Sequence, residues 1–364
     1  MPEQPTPTAP PQHEHTVLVL QGGGALGAYQ AGAYEGFAAA GAAPDWVAGV
    51  SIGAINAALI AGNAPEQRVP RLREFWQRVS LPPPPFSVPA PWRPLSNRLS
   101  AASATVFGIP GFFRPRAPSL AALSVYDTAP LKRTLLELVD FDLINSAQVR
   151  LSVGAVNVRS GNSVYFDNTR MRIGPEHIMA SGALPPGFAP VLIDGESYWD
   201  GGIVSNSPLW YVMDEAPHID ALILQVDLFS ASGELPRDLD QVQERAKDIQ
   251  YSSKTRFNST QLRQRDALKA SFLRLLDKLP AELLDDNDVK QLAAASRRCQ
   301  VSLVHLINRH DTRSASVKDY EFSRATVDEL WQAGLGDVAH SVHHADWGRA
   351  TEQHEGVRVF DLTR

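Results

Sequence analysis

The sequence predicts an α/β fold, and three observations point to it. Residues 16–20, 46–50 and 221–226 are short, continuous apolar runs rich in β-formers, as expected of strands buried on both faces. The first two lead through glycine-containing turns into helix-forming sequence. Polar turns such as Ser160-Gly161-Asn162 and Asp194-Gly195 mark further strand ends.

Composition narrows the function classes. At 364 residues and 44% hydrophobic content, the chain can build a substantial core. Its 34 basic and 40 acidic residues give a net charge of −6, and no long basic run appears, so nucleic acid is not an expected partner. A single cysteine, Cys299, excludes an internal disulfide framework and fits a reducing compartment. The first fifteen residues lack the basic cluster and apolar stretch of a signal peptide, and no apolar run is long enough to span a bilayer. A cytoplasmic location is therefore expected.

In chain order, residues 1–14 read as a disordered tail with almost nothing to bury. Residues 15–235 read as the α/β domain. The strand at 16–20 ends in Gln21-Gly22-Gly23-Gly24, and residues 25–40 follow as a helix with Leu26, Tyr29, Ala33 and Phe37 at helical spacing. Gly22-x-Gly24-x-x-Gly27 fits a dinucleotide fingerprint, which wants an acid at the end of the second strand. Asp45 instead precedes that strand. The alternatives are a structural turn, or an oxyanion hole built from the backbone amides of Gly22, Gly23, Gly24 and Ala25.

The second strand stops at Gly49-Val50-Ser51-Ile52-Gly53, and helix-forming sequence starts at once. This reads as a nucleophile elbow, in which Gly49 and Gly53 leave room for strand and helix to pass closely around a strained serine. The bland alternative is a glycine turn whose serine caps the helix. The elbow comes too early in the chain for an ordinary α/β-hydrolase, which carries several strands before it. Helices are expected over 52–62 and 71–79.

Residues 81–124 change character, with many prolines, no acidic residue, and Phe86, Trp92, Phe107, Phe112 and Phe113 interleaved with Arg93, Arg98, Arg114 and Arg116. This reads as an insertion outside the core, either a lid or peripheral membrane contact, or a loop packed on its own domain. Strands are expected at 149–157, 163–166 and 191–193. Tyr198-Trp199-Asp200-Gly201-Gly202 then sets an acid between aromatic bulk and two glycines, where a carboxylate can be desolvated yet closely approached. Asp200 is the candidate general base. Residues 236–364 read as a mostly helical C-terminal region with a late strand at 301–307.

A histidine base would need His218, His305 or His310, none of which sits in a motif, and His177 precedes Asp200. His340, His343 and His344 have near-helical spacing but no accompanying carboxylate motif, so no metal is expected. No cofactor is expected either.

Taken together, Gln21-Gly22-Gly23-Gly24-Ala25-Leu26-Gly27, Gly49-Val50-Ser51-Ile52-Gly53 and Asp200-Gly201-Gly202 resemble the patatin-like phospholipases. So do Ala180-Ser181-Gly182-Ala183-Leu184-Pro185, Asn206 and Pro208. The tail, with Tyr320-Glu321-Phe322-Ser323, is similar to a region that accompanies a bacterial subset of these proteins. The resemblance implies a mainly parallel central sheet with helices on both faces. It also implies a dyad of Ser51 as nucleophile and Asp200 as base, an oxyanion hole at Gly22 to Ala25, and a lipid or small ester as substrate. The expected activity is serine acyl hydrolysis. The alternatives are a catalytically weak lipid- or partner-binding module on the same fold, and a dinucleotide-binding oxidoreductase.

Overall fold

Short runs of β-formers that expose no side chain along their length are strands in the interior of a sheet covered on both sides. Residues 46–50, 221–227 and 301–307 are such runs. The computed structural model describes residues 13–82, 93–117, 122–215, 219–253, 255–310, 318–344, 346–348 and 356–361. Residues 1–12 of the tail expected at 1–14, Phe86, Trp92 and His218, and the side chains of Arg93 and Arg98, lie outside the described residues.

Strand β1 (His15–Leu20) leads through the glycine loop into helix α1 (Gly27–Ala39), and β2 (Trp46–Val50) leads into α2 (Ile52–Ala61). Helices α3 (Pro65–Arg78) and α4 (Arg93–Phe107) follow, then the two-residue strands β3 (Arg114–Pro115) and β4 (Tyr126–Asp127). Next come α5 (Ala129–Leu138), α6 (Phe141–Asn145), β5 (Arg150–Asn157), β6 (Ser163–Asp167) and α7 (Pro175–Ser181). Strands β7 (Val191–Ile193) and β8 (Glu196–Asp200), helix α8 (Leu209–Glu215) and strand β9 (Ala221–Asp227) complete this part. The C-terminal part holds α9 (Leu239–Tyr251), α10 (Thr255–Leu276), α11 (Ala281–Leu284), α12 (Asn287–Ala295), β10 (Val301–Ile307), α13 (Arg324–Val342) and β11 (Val357–Asp361).

The strands form one sheet in the order β11-β10-β9-β1-β2-β5-β8-β7, with β6 also paired to β5. From β11 to β5 every pairing is parallel, whereas β6 and β8 run antiparallel to β5, and β7 antiparallel to β8. Alternate residues of β1 divide the core. Leu18 and Leu20 join the larger apolar cluster with α1, α2 and α13, while Val17 and Val19 join a second cluster with α8 and α10. This is the mostly parallel sheet with helices on both sides that the sequence predicts, and the C-terminal region is mostly helical.

Register places the functional loops. Val50 pairs with Gly154 of β5, and Ala155 pairs with Asp200 of β8. The antiparallel β8 therefore ends level with the end of β2, and Asp200 arrives beside the turn at Ser51. The loop after β1, adjacent to β2, opens at the same edge of the sheet.

Two features differ from the sequence reading. The insertion is not wholly outside the core, because Phe112 and Phe113 belong to the main apolar cluster, and residues 93–107 form a helix. The C-terminal region extends the sheet, with β10 on β9 and the unforeseen β11 on β10. A five-residue strand such as β11 has little signal of its own, because its stabilising partner is the open edge of a strand some fifty residues earlier. Among the described residues, no helix is long and apolar enough to cross a membrane.

Helix α13 packs directly on α1 through two glycines. A Cβ on Gly32 would lie 2.0 Å from the Trp331 carbonyl oxygen, and one on Gly334 would lie 2.0 Å from the Tyr29 carbonyl oxygen. The helices cannot come this close with a side chain between them. Gly334→Val is expected to lower the unfolding free energy of the full chain by about 1–3 kcal/mol, the usual cost of overpacking. A denaturant midpoint unchanged from wild type in urea titration would refute the close contact.

Candidate active site

The chain reverses sharply at Ser51, whose backbone lies at φ 57° and ψ −125°, outside the regions that an L-residue adopts without strain. The flanking glycines make this reversal sterically feasible. A Cβ on Gly49 would sit 2.4 Å from the Gly53 carbonyl oxygen, and one on Gly53 would sit 2.4 Å from the Leu20 carbonyl oxygen. The Ser51 side chain makes no capping hydrogen bond to α2, so the helix-cap reading of this serine fails. Its amide instead donates to the Ser181 hydroxyl at 2.9 Å, and Ser181 donates to the Gly154 carbonyl at 2.6 Å. Fully buried Ser181 thus ties the elbow to β5.

The glycine loop is held from several sides. The Gly22 amide donates to the Asn206 carbonyl at 3.1 Å, and the Asn206 side-chain amide donates to the carbonyls of Gly22 and Tyr251 at 3.0 and 2.8 Å. Gly22 was expected among the oxyanion donors. Its N–H is already engaged, which leaves the amides of Gly23, Gly24 and Ala25 as those on this loop with no protein acceptor among the described residues. Beneath the loop, the buried Gln21 side chain accepts from the amides of Leu228 and Phe229 and donates to the Tyr251 carbonyl. A buried chain of bonds continues from the Gln21 carbonyl to Gln30, from Gln30 to Asn56, and from Asn56 to the Trp76 indole. Every polar group in it is partnered, so it fixes the loop without an unsatisfied donor.

Asp200 is 2% exposed. Its carboxylate accepts the Gly202 amide at 2.7 Å, and the Ser51 hydroxyl lies near enough to favour its ionised form. Burial outweighs both groups and pushes the carboxyl up to about 7. Gly201 lets it approach, since a Cβ there would meet the Gly154 carbonyl oxygen at 2.7 Å. A carboxylate that titrates near neutrality against a serine hydroxyl is chemically suited to take up that proton and return it.

Ser51 and Asp200 open into a cavity of about 290 Å³. Phe112, Phe113, Tyr126 and Phe188 form a mutually packed aromatic wall, with Phe113 4.7 Å from Tyr126 and 5.3 Å from Phe188 between ring centres. The C-terminal region supplies Lys247, Tyr251, Asp319, Tyr320 and Phe322. Tyr320 and Phe322 belong to the stretch quoted above for the tail, Lys247, Tyr251 and Asp319 carried no motif, and all five reach the Ser51 cavity only because α9 and the turn before α13 fold over the glycine loop.

The competing sites separate in space. Asp45 bonds reciprocally with Thr16 at the opposite end of β1 from the glycine loop, so the acid that a dinucleotide site requires is not at this loop. His305 is buried within β10, and its burial lowers its pKa. His310 pairs with Asp337 at 3.0 Å, and His177 accepts the Gly174 amide and packs on Phe166. None of these three lines the Ser51 cavity. Among the described residues, no group of three or more His, Cys, Asp and Glu side chains is placed to hold a metal ion.

Comparison with known proteins identifies family matches along the chain. A family model described as patatin-like phospholipase matches residues 18–213, and a second, described as patatin phospholipase, matches residues 249–354. Among solved structures, that of VipD from Legionella pneumophila is similar at 14% identity and a TM-score of 0.34, covering 88% of this chain and 67% of its own. No curated protein matches the chain.

Because the Asp200 carboxyl sits at about 7 in the folded chain and near 3.8 when exposed, its ionised form opposes folding. That penalty is full above about pH 7 and fades as the pH falls towards 4. Asp200→Asn is expected to raise the thermal midpoint at pH 8, with the gain shrinking steadily down to pH 5. A gain that grew on acidification would contradict the burial argument.

Proposed function

The chain belongs to the patatin-like phospholipase family, whose members are lipid acyl hydrolases, and on that premise we propose that it cleaves carboxylic esters of lipids or lipid-like molecules through a Ser51–Asp200 dyad. Asp200 takes the Ser51 hydroxyl proton as the serine oxygen attacks the ester carbonyl. The resulting oxyanion is met by the amides of Gly23, Gly24 and Ala25, with the positive end of α2 aimed at the same point. Collapse of the intermediate breaks the bond to the alcohol, which leaves with the proton from Asp200. Water then attacks the acyl-serine, again giving its proton to Asp200, and the carboxylic acid departs as Ser51 recovers its hydrogen. The observation that carries this reading is a buried carboxylate, near neutral in pKa, that shares one cavity with a serine on a strained elbow.

Fluorophosphonate labelling followed by peptide mass spectrometry is expected to place an adduct on Ser51 that Ser51→Ala lacks. Ester turnover should rise with pH through about 7 as Asp200 ionises, and Asp200→Asn should reduce it by at least roughly a hundredfold. A folded protein that takes no label would favour the weakly catalytic binding module instead.

We further propose that the insertion meets lipid surfaces through α4. Leu99, Val106 and Phe107 on this helix are 64%, 61% and 76% exposed, and Leu99 and Val106 are two turns apart on one face. The surrounding segment, 81–124, contains arginines and no acidic residue, which suits an anionic headgroup layer. The single cysteine supports a cytoplasmic, reducing setting for this contact. Co-sedimentation with vesicles of mixed zwitterionic and anionic phospholipid is expected to fall in the double variant Val106→Ser/Phe107→Ser. Sedimentation equal to wild type would dispose of α4 as the contact.

A further inference from the structure

Within the cavity at Ser51, the residues from the C-terminal region differ in chemistry from the aromatic wall. The Lys247 ammonium lies 2.6 Å from the Asp319 carboxylate and 5.4 Å from the centre of the Tyr320 ring, and both members of the ion pair are largely shielded from solvent. The Asp319 backbone presses on the oxyanion loop, since a Cβ on Gly24 would lie 2.2 Å from the Asp319 carbonyl oxygen. Tyr320 sits close enough to feel the charges of both Asp319 and Asp200. Its phenol and that of Tyr251 have no hydrogen-bond partner on the protein among the described residues.

A shielded ion pair contributes little net stability once desolvation is counted, so its presence at the edge of a reaction site calls for another account. Together the pair and the two phenols add donors and acceptors to a pocket whose remaining lining is largely apolar and aromatic. The charged groups lining the cavity among the described residues are Asp200, Asp319 and Lys247, and Lys247 is already neutralised by Asp319. A phosphate or carboxylate would enter a site with no surplus positive charge. Hydroxyl groups, which donate and accept together, match it.

We propose that Lys247, Asp319 and Tyr320 form the subsite for the alcohol half of the ester, and that this subsite takes an uncharged, hydroxyl-bearing moiety of the glyceryl kind. The inference rests on the hydrolase reading above. It assigns the aromatic wall of Phe112, Phe113 and Phe188 to the acyl half. It also makes the C-terminal region part of substrate selection, with these side chains acting as specificity determinants while the bond-breaking steps stay with Ser51 and Asp200.

The test compares kcat/KM for three octanoyl esters, glyceryl, methyl and phosphoglyceryl, in wild type, Tyr320→Phe, and the double variant Lys247→Met/Asp319→Asn, which leaves neither charge buried alone. Wild type is expected to prefer the glyceryl ester over both others, and each variant to lower the glyceryl-to-methyl ratio roughly tenfold. An unchanged ratio, equal losses on both esters, or a wild-type preference for the phosphoglyceryl ester would overturn the assignment. A binding arm separates this from failure of the hydrolase reading. In the Ser51→Ala background, calorimetry with 1-O-octylglycerol, an ether that cannot be hydrolysed, should show a Kd raised roughly tenfold by Tyr320→Phe, whereas methyl octyl ether should show no such change. Absence of any turnover together with that shift would refute hydrolysis and keep the subsite, and absence of the shift would refute the subsite.

Discussion

The backbone of Ser51 is the constraint from which the rest of the site follows. Holding a non-glycine residue at φ 57° and ψ −125° costs about 1–3 kcal/mol, and the conformation persists only where its surroundings leave no alternative. Here β2 pins the residue on one side and α2 on the other. Gly49 and Gly53 remove the atoms that would collide, and Ser181 holds the Ser51 amide against β5. A turn of this kind projects the hydroxyl away from the main chain and towards Asp200.

The buried polar groups around it serve the same end. Trp76, Asn56, Gln30 and Gln21 form a continuous bonded path from α3 through α2 and α1 to the glycine loop. Asn206 closes the other side by bonding Gly22 and Tyr251 at once. A loop tethered in this way holds the amides of Gly23 to Ala25, the donors of the proposed oxyanion hole, in a fixed arrangement. Preorganised donors are what make a small number of hydrogen bonds effective against a developing charge.

Asp200 shows the complementary use of burial. The carboxylate is placed where water cannot stabilise its charge, and the Gly202 amide and the nearby Ser51 hydroxyl recover only part of that loss. The instability is local, and the extensive apolar core on both faces of the sheet offsets it. The C-terminal region contributes to that core through α13 on α1 and β10 on β9, and to the cavity through Lys247, Tyr251, Asp319 and Tyr320. One region thus supplies both core and pocket wall.

The sequence by itself determined the elements whose cause is local. Continuous apolar runs specified the interior strands, and a serine between glycines at a strand-to-helix junction specified the elbow. Asp200 between aromatic bulk and two glycines was legible for the same reason. Tertiary structure decided what depends on residues distant in the chain. The amide of Gly22 is engaged by Asn206 and so withdrawn from the candidate oxyanion donors, and Phe112 and Phe113 leave a proline-rich insertion to line the cavity. Lys247 and Asp319 meet beside Ser51 although roughly two hundred residues or more separate them from it. Strand and turn propensities act over a few neighbours, whereas pairing across a sheet, desolvation and ion pairing depend on which surfaces the completed fold brings together.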